Sequence, residues 1–303
     1  MADESQLPLL DAEAVSSGEA LGLLARQIVE GYRVGEHRSP FHGFAIEFAQ
    51  HREYTPGDDL RHLDWKILGR TDRYFIKQYE QDTNYVAHLF LDGSESMNFA
   101  SGKTSKLHYA KALAACLAYV ILHQGDAVAL QIFDTEEREY LPRTDNFGKI
   151  HHIINRLAAF KAERPTRLGD GLAKLARRIK SRGIVCLFSD LFDDEEGFQR
   201  GLEQLRFSGS EVIVFHVMDS QELEFSLRGS VEFVGLEDTG LLKTNPAAIR
   251  KSYLEAINAF RGRVRGICER AGCHYSLIDT GRPLAETLRG YLVFRQQIGK
   301  GTI

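Results

Sequence analysis

The spacing of apolar residues changes along this chain, and the changes mark its organisation. Residues 1–15 carry no period and read as a loose arm. Ser16-Ser-Gly-Glu19 has the capping-box spacing, and Leu21, Leu24, Ile28 and Tyr32 follow at helical intervals. That spacing predicts an amphipathic helix over 17–33. Between Gly35 and Asp82 the pattern turns irregular. His37-Arg-Ser-Pro40 and Tyr54-Thr-Pro-Gly57-Asp-Asp59 are turn-rich, while Phe44 to Tyr54 and Tyr74 to Tyr79 alternate weakly, as short strands do.

From Tyr85 the chain alternates strand and helix. Strands are predicted at 86–91, 127–133, 183–188, 211–217 and 274–278, with 137–141 returning antiparallel beside 127–133. Helices are predicted at about 105–124, 147–160, 168–181, 195–207, 246–271 and 283–293. Residues 220–245 are irregular, with a hairpin turn at Glu237-Asp-Thr-Gly240. Apolar strands separated by helices imply an α/β fold, a doubly wound and mostly parallel sheet covered on both faces. The expected divisions are an arm and helix (1–34), a β-rich subregion packed on the main domain (35–82), the α/β domain (83–293) and a tail (294–303).

Ligands of such sheets bind beyond the carboxyl ends of strands, near a switch in strand order. Asp92, Asp134, Asp190, Asp219 and Asp279 all close predicted strands, and only some of them can share one site. The sharpest local signal is Asp92-Gly-Ser94-Glu-Ser96, an acid followed by two hydroxyls at alternate positions. An anion with neutral oxygens suits a hard divalent cation such as magnesium. Thr166 opens a helical segment and Asp190 ends the strongest later strand. Each has a plain alternative: Thr166 as a helix N-cap, Asp190 as a turn acid.

These residues, taken together, resemble the metal-ion-dependent adhesion site (MIDAS) of von Willebrand factor A domains. Arg52-Glu-Tyr54-Thr-Pro-Gly57-Asp58-Asp59-Leu-Arg61-His-Leu-Asp64-Trp65 resembles the signature of a bacterial group, domain of unknown function 58. The resemblance spans roughly residues 35–290. It implies a Rossmann-like A-type fold, a bound magnesium, manganese or calcium ion, and association with MoxR-type AAA+ ATPases. Carried over by residue, Ser94 and Ser96 would coordinate directly and Thr166 directly or through water. Asp92 and Asp190 would hold the ion's waters or bind by one oxygen. An open position would accept an acidic side chain from a protein partner. Many relatives carry membrane helices ahead of the signature, a feature not read in this sequence. In the signature block itself, an Asp–Arg pairing on the turn and Trp65 anchoring the subregion to the sheet domain is the packing alternative to direct partner binding.

Composition narrows the classes. The chain of 303 residues is 43% hydrophobic and 26% charged, a globular balance, with net charge 38 − 42 = −4. That argues against a nucleic-acid surface. The acidic start and the lack of a span-length apolar run lead us to expect a cytoplasmic protein. Four cysteines without a CxxC pair read as reduced thiols. Gly102-Lys103-Thr104 mimics the end of a phosphate loop, but Met97 stands where that motif needs glycine. Ser94 replaces the second acid of an Asp-x-Asp phosphatase. The expected function is a non-enzymatic, metal-dependent protein-interaction module. The rival is a metal-dependent phosphoryl-transfer or nuclease enzyme using Asp92 and Asp190.

Overall fold

A computed structural model describes residues 18–33, 46–55, 63–71, 73–81, 86–180, 182–227, 229, 231–234 and 241–300. Its centre is a six-stranded sheet. The strands are β3 (Val86–Asp92), β4 (Ala127–Phe133), β5 (Glu137–Thr144), β6 (Gly183–Ser189), β7 (Glu211–Met218) and β10 (His274–Asp279), in the order β10-β7-β6-β3-β4-β5. All neighbours are parallel except β4 and β5. Counted within this sheet alone, the order is 6-5-4-1-2-3, the doubly wound arrangement that reverses direction beside its first strand. This is the α/β architecture, a doubly wound and mostly parallel sheet covered on both faces, that the sequence implied.

Alternation along each strand divides the core in two. Leu89, Leu91, Leu130, Ile132 and Phe188 face one layer, made by α1 (Gly18–Arg33), α3 (Lys106–His123), α4 (Ile150–Ala159) and α9 (Leu284–Lys300). Phe90, Phe133, Val185, Leu187 and Val214 face the other, made by α5 (Leu168–Arg178), α6 (Glu195–Phe207) and α8 (Pro246–Arg270). Helix α3 is buried nearly all round, as a helix between a sheet and outer helices must be. Where α5 crosses α6, a Cβ on Gly169 would lie 2.6 Å from the backbone of Gly197. Glycine there is what lets the two backbones approach.

Several expectations change. Leu21, Ala25 and Val29 of α1 are buried in the first core layer, so this helix belongs to the core of the sheet domain. The subregion expected to be β-rich contains an antiparallel pair, β1 (Ile46–Glu53) and β2 (Phe75–Gln81), but also a helix, α2 (Trp65–Thr71). Asp64 starts that helix, its Oδ1 accepting from the N–H groups of Lys66 and Ile67. Trp65 does not anchor the subregion; it is 68% exposed, because it sits on the first turn's outer side. Arg52 donates to Thr55 Oγ1 at 2.6 Å, and Tyr54 pairs its N–H and its ring with Tyr74. Gly57, Asp58, Asp59 and Arg61 lie outside the described residues, as do the arm and the 237–240 turn. Within 220–245 the chain forms α7 (Ser220–Glu224) and a separate hairpin of β8 (Val231–Val234) and β9 (Leu241–Thr244). The last helix runs on to Lys300 through the expected tail, since no proline interrupts it.

Candidate metal centre

The site lies where the sheet order reverses, beyond the carboxyl ends of β3 and β6. Asp92 ends β3 and Ser189 ends β6. Both are fully buried, and Ser189 Oγ donates to Asp92 Oδ2 at 2.5 Å. Asp92 Oδ1 accepts from the Ser94 N–H at 3.0 Å, which turns the chain sharply after the strand. Gly93 occupies the tightest point. Its N–H donates to Phe133 O at 2.7 Å, and a Cβ there would fall 2.5 Å from Phe160 Cζ. The turn leads into a short 3-10 helix over Glu95–Asn98 and leaves the Ser94 and Ser96 hydroxyls hydrogen-bonded to each other at 3.0 Å.

A second segment runs beside this turn. Ser94 forms a parallel bridge with Arg164, and Glu95 N–H donates to Arg164 O at 2.7 Å. Thr166 follows two residues beyond that bridge. Thr166 is not the N-cap of α5. The Leu168 N–H is taken by the Asp193 carboxylate at 2.6 Å, and Arg167 occupies the cap position with no side-chain bond. Thr166 Oγ1 is buried without a hydrogen-bond partner. A buried hydroxyl left this way costs about 1–3 kcal/mol and calls for an explanation.

The third segment is Ser189-Asp190-Leu191. Leu191 has φ +60°, rare for a residue with a bulky side chain. Its N–H donates to Ser189 Oγ, and its carbonyl accepts from Asp193. This strained turn fixes the fully buried Asp190. Asp190 Oδ1 accepts from the Phe192 N–H at 3.3 Å, and Oδ2 accepts from Lys106 Nζ at 2.7 Å. Lys106 is 1% exposed and also donates to Glu222 at 2.8 Å.

The electrostatics follow from burial. Asp92 is pushed up to about 7, first by loss of solvent and then by the neighbouring Asp190; the bonds from Ser189 and Ser94 pull the other way. Burial works against the Lys106 ammonium, but Asp190 and Glu222 outweigh it and raise its value above the ordinary one. Burial also pushes Glu222 upward, against Lys106. At 2.8 Å, with an ammonium sealed from water, the charged pair is the arrangement the geometry supports.

The other strand-end acids serve elsewhere. Asp134 pairs with Arg138 and accepts from the Glu136 N–H. Asp279 accepts from Ser220 Oγ and Gly281 N–H. Asp219 caps α7 and accepts from the Ser101 N–H and hydroxyl. Lys106, Ser189 and Glu222 belong to the site's surroundings although no motif marks them. One signal for Lys106 is readable: a cation in the first turn of a long helix opposes the helix dipole, so it requires local anions.

The donor set fits a hard divalent cation. Two oxygens bound side by side on an octahedral magnesium, each at about 2.0–2.1 Å, lie about 3 Å apart. The Ser94 and Ser96 oxygens, hydrogen-bonded to each other at 3.0 Å, have a separation compatible with that edge, and Thr166 Oγ1 is a buried oxygen without a hydrogen-bond partner. Among the described residues no group of three or more His, Cys, Asp and Glu side chains is placed to hold a metal; the oxygens gathered here are mainly hydroxyls.

Among solved structures, the chain is similar to an aerotolerance-related membrane protein from Bacteroides fragilis. The identity is 18% and the TM-score 0.47, covering 70% of this chain and 100% of that one. It is also similar to BatB from Bacteroides thetaiotaomicron (16%, TM-score 0.46, 72% and 98%) and to the SpRpn10 VWA domain (16%, TM-score 0.39, 73% and 99%). Among described proteins, it is 25% identical over 287 residues to uncharacterized protein Rv1480 of Mycobacterium tuberculosis and to Mb1516 of Mycobacterium bovis. Each match covers 92% of this chain and 89% of the relative. Among the described residues, no helix is long and apolar enough to cross a membrane. Residues 50–263 match the family described as Protein of unknown function DUF58, and with more than half its length inside that match the chain belongs to this family.

Proposed function

We propose that this chain is a non-enzymatic, metal-dependent protein-interaction module. Ser94, Ser96 and Thr166 would supply hydroxyl oxygens to a magnesium, manganese or calcium ion. Asp92 and Asp190 would accept hydrogen bonds from its waters, since each carboxylate oxygen keeps a second lone pair beyond the bonds described. With mostly neutral direct ligands, a bound divalent ion supplies residual positive charge at an open position, where an aspartate or glutamate of a partner would dock. The observation that carries the reading is Thr166 Oγ1, buried and without a hydrogen-bond partner two residues beyond the bridge that joins Arg164 to Ser94.

The partner class follows from the family resemblance: a MoxR-type AAA+ ATPase, with this chain as its adaptor in assembling or maturing other proteins. Magnesium or manganese titration of the full chain, followed by thermal unfolding, tests the ion. Stabilisation by metal that disappears in Ser94→Ala and Ser96→Ala supports it; equal behaviour of wild type and variants removes it. Capture of the purified ATPase on the immobilised chain, with metal and with chelator, tests the partner. An enzyme using Asp92 and Asp190 as metal carboxylates is the competing reading. Turnover of a generic phosphoester, lost in Asp92→Asn, would establish it.

A further inference from the structure

Lys106 occupies a place where a cation is doubly disfavoured. It opens the 18-residue helix α3, next to the positive end of the helix dipole, and it is 1% exposed. Two carboxylates hold it there, Asp190 at 2.7 Å and Glu222 at 2.8 Å. The rings of Phe99 and Phe192 stand 5.6 and 5.1 Å from the ammonium. Asp190 is also the acid expected to serve the metal. Its Oδ1 accepts from the Phe192 N–H, and its Oδ2 accepts from Lys106.

Glu222 gives the ammonium a second home. It forms the capping box of α7, its Oε2 accepting from the Asp219 N–H while Oε1 accepts from Lys106. Asp219 in turn accepts from the Ser101 N–H and hydroxyl. Lys106 can therefore loosen its bond to Asp190 and remain paired, avoiding the large cost of an isolated buried charge.

We infer that Lys106 is a built-in rival of the metal for Asp190, and that Glu222 is the acceptor that lets it yield. The inference rests on the metal reading above and makes Lys106 and Glu222 positioning residues with opposite effects. A neutral side chain at 106 frees Asp190 and removes a like charge from beside the ion. A neutral side chain at 222 leaves Lys106 with Asp190 as its single counter-ion, and the lysine then yields less readily.

The test is direct manganese binding by calorimetry on the full chain, comparing wild type, Lys106→Gln and Glu222→Gln, each checked for fold by circular dichroism. Manganese is expected to bind Lys106→Gln more tightly and Glu222→Gln more weakly than wild type, each by on the order of tenfold. Unchanged or weaker binding to Lys106→Gln, with wild type binding normally, overturns the inference and leaves the metal reading standing. Absence of binding in all three proteins overturns both. Binding to Lys106→Gln but not to wild type supports both, with the lysine as the dominant competitor. If Lys106→Gln does not fold, Glu222→Gln decides, and wild-type affinity there overturns the inference.

Discussion

Ser189 Oγ donates to Asp92 Oδ2 at 2.5 Å while accepting the Leu191 N–H at 2.9 Å. One hydroxyl thus joins the ends of β3 and β6 across the point where the sheet order reverses, and holds the turn that presents Asp190. Replacing Ser189 by alanine removes both bonds inside a fully buried site and leaves the Leu191 N–H unpaired. The expected loss is about 1–3 kcal/mol in urea unfolding. A midpoint equal to wild type would show that the hydroxyl does not secure this junction.

Thr166 gives a test in which structure and ligand pull apart. Its hydroxyl is buried without a partner, so Thr166→Val removes a polar atom that contributes nothing to the metal-free fold. Metal-free stability is expected to stay level or to rise by about 1 kcal/mol, while magnesium- or manganese-dependent stabilisation disappears. Differential scanning fluorimetry with and without metal reads both effects. A Thr166→Val protein that loses stability without metal would mean that the hydroxyl already has a structural bond.

Two histidines make stability depend on acidity. Burial, helped by Arg178, lowers His88 to about 4. Burial lowers His216 to about 4 as well, with Asp190 pulling the other way. In an unfolded chain histidine titrates near about 6.5. Between about 6.5 and 4 the unfolded state therefore binds more protons, and each imidazole's contribution is lost as pH falls through that window. The slope is up to about 1.4 kcal/mol per pH unit for each histidine. Asp92, raised to about 7, acts in the opposite direction there, because the folded state holds its proton where the unfolded state releases it. The clean measurement is the difference between wild type and His88→Gln. Wild type should lose more stability between pH 7 and 5, and parallel curves would contradict the assignment.

Gly93 has no room for a methyl group. Its Cβ would meet Phe160 at 2.5 Å and Ile132 Cγ2 at 3.3 Å. Gly93→Ala is expected to cost about 1–3 kcal/mol through overpacking. Much of the cost should return in the double variant Gly93→Ala with Phe160→Leu, which clears the clash. Additive losses in the double variant would place the strain in the backbone instead.

The strands and helices of the sheet domain were legible because their cause is local. Each buried strand is a short apolar run, and α4, α5 and α6 each carry one apolar stripe. The acid-hydroxyl turn at Asp92-x-Ser94-x-Ser96 was legible for the same reason: its residues come from one loop directly after an apolar strand. Helix α2 was missed because its seven residues are too few to show a period. The exposure of Trp65 was missed because an aromatic residue carries no sign of which side of a helix it will occupy.

What the sequence determined by itself was the doubly wound sheet and the three segments at its carboxyl edge. The tertiary structure alone decided how those segments meet. Ser189 and Asp92 are joined over a separation of 97 residues, Lys106 and Asp190 over 84, and Lys106 and Glu222 over 116. A buried charge finds its counter-ion by folding, not by spacing. Whether Thr166 caps its helix or keeps its oxygen free depends on where the carboxylate of Asp193 arrives from another loop.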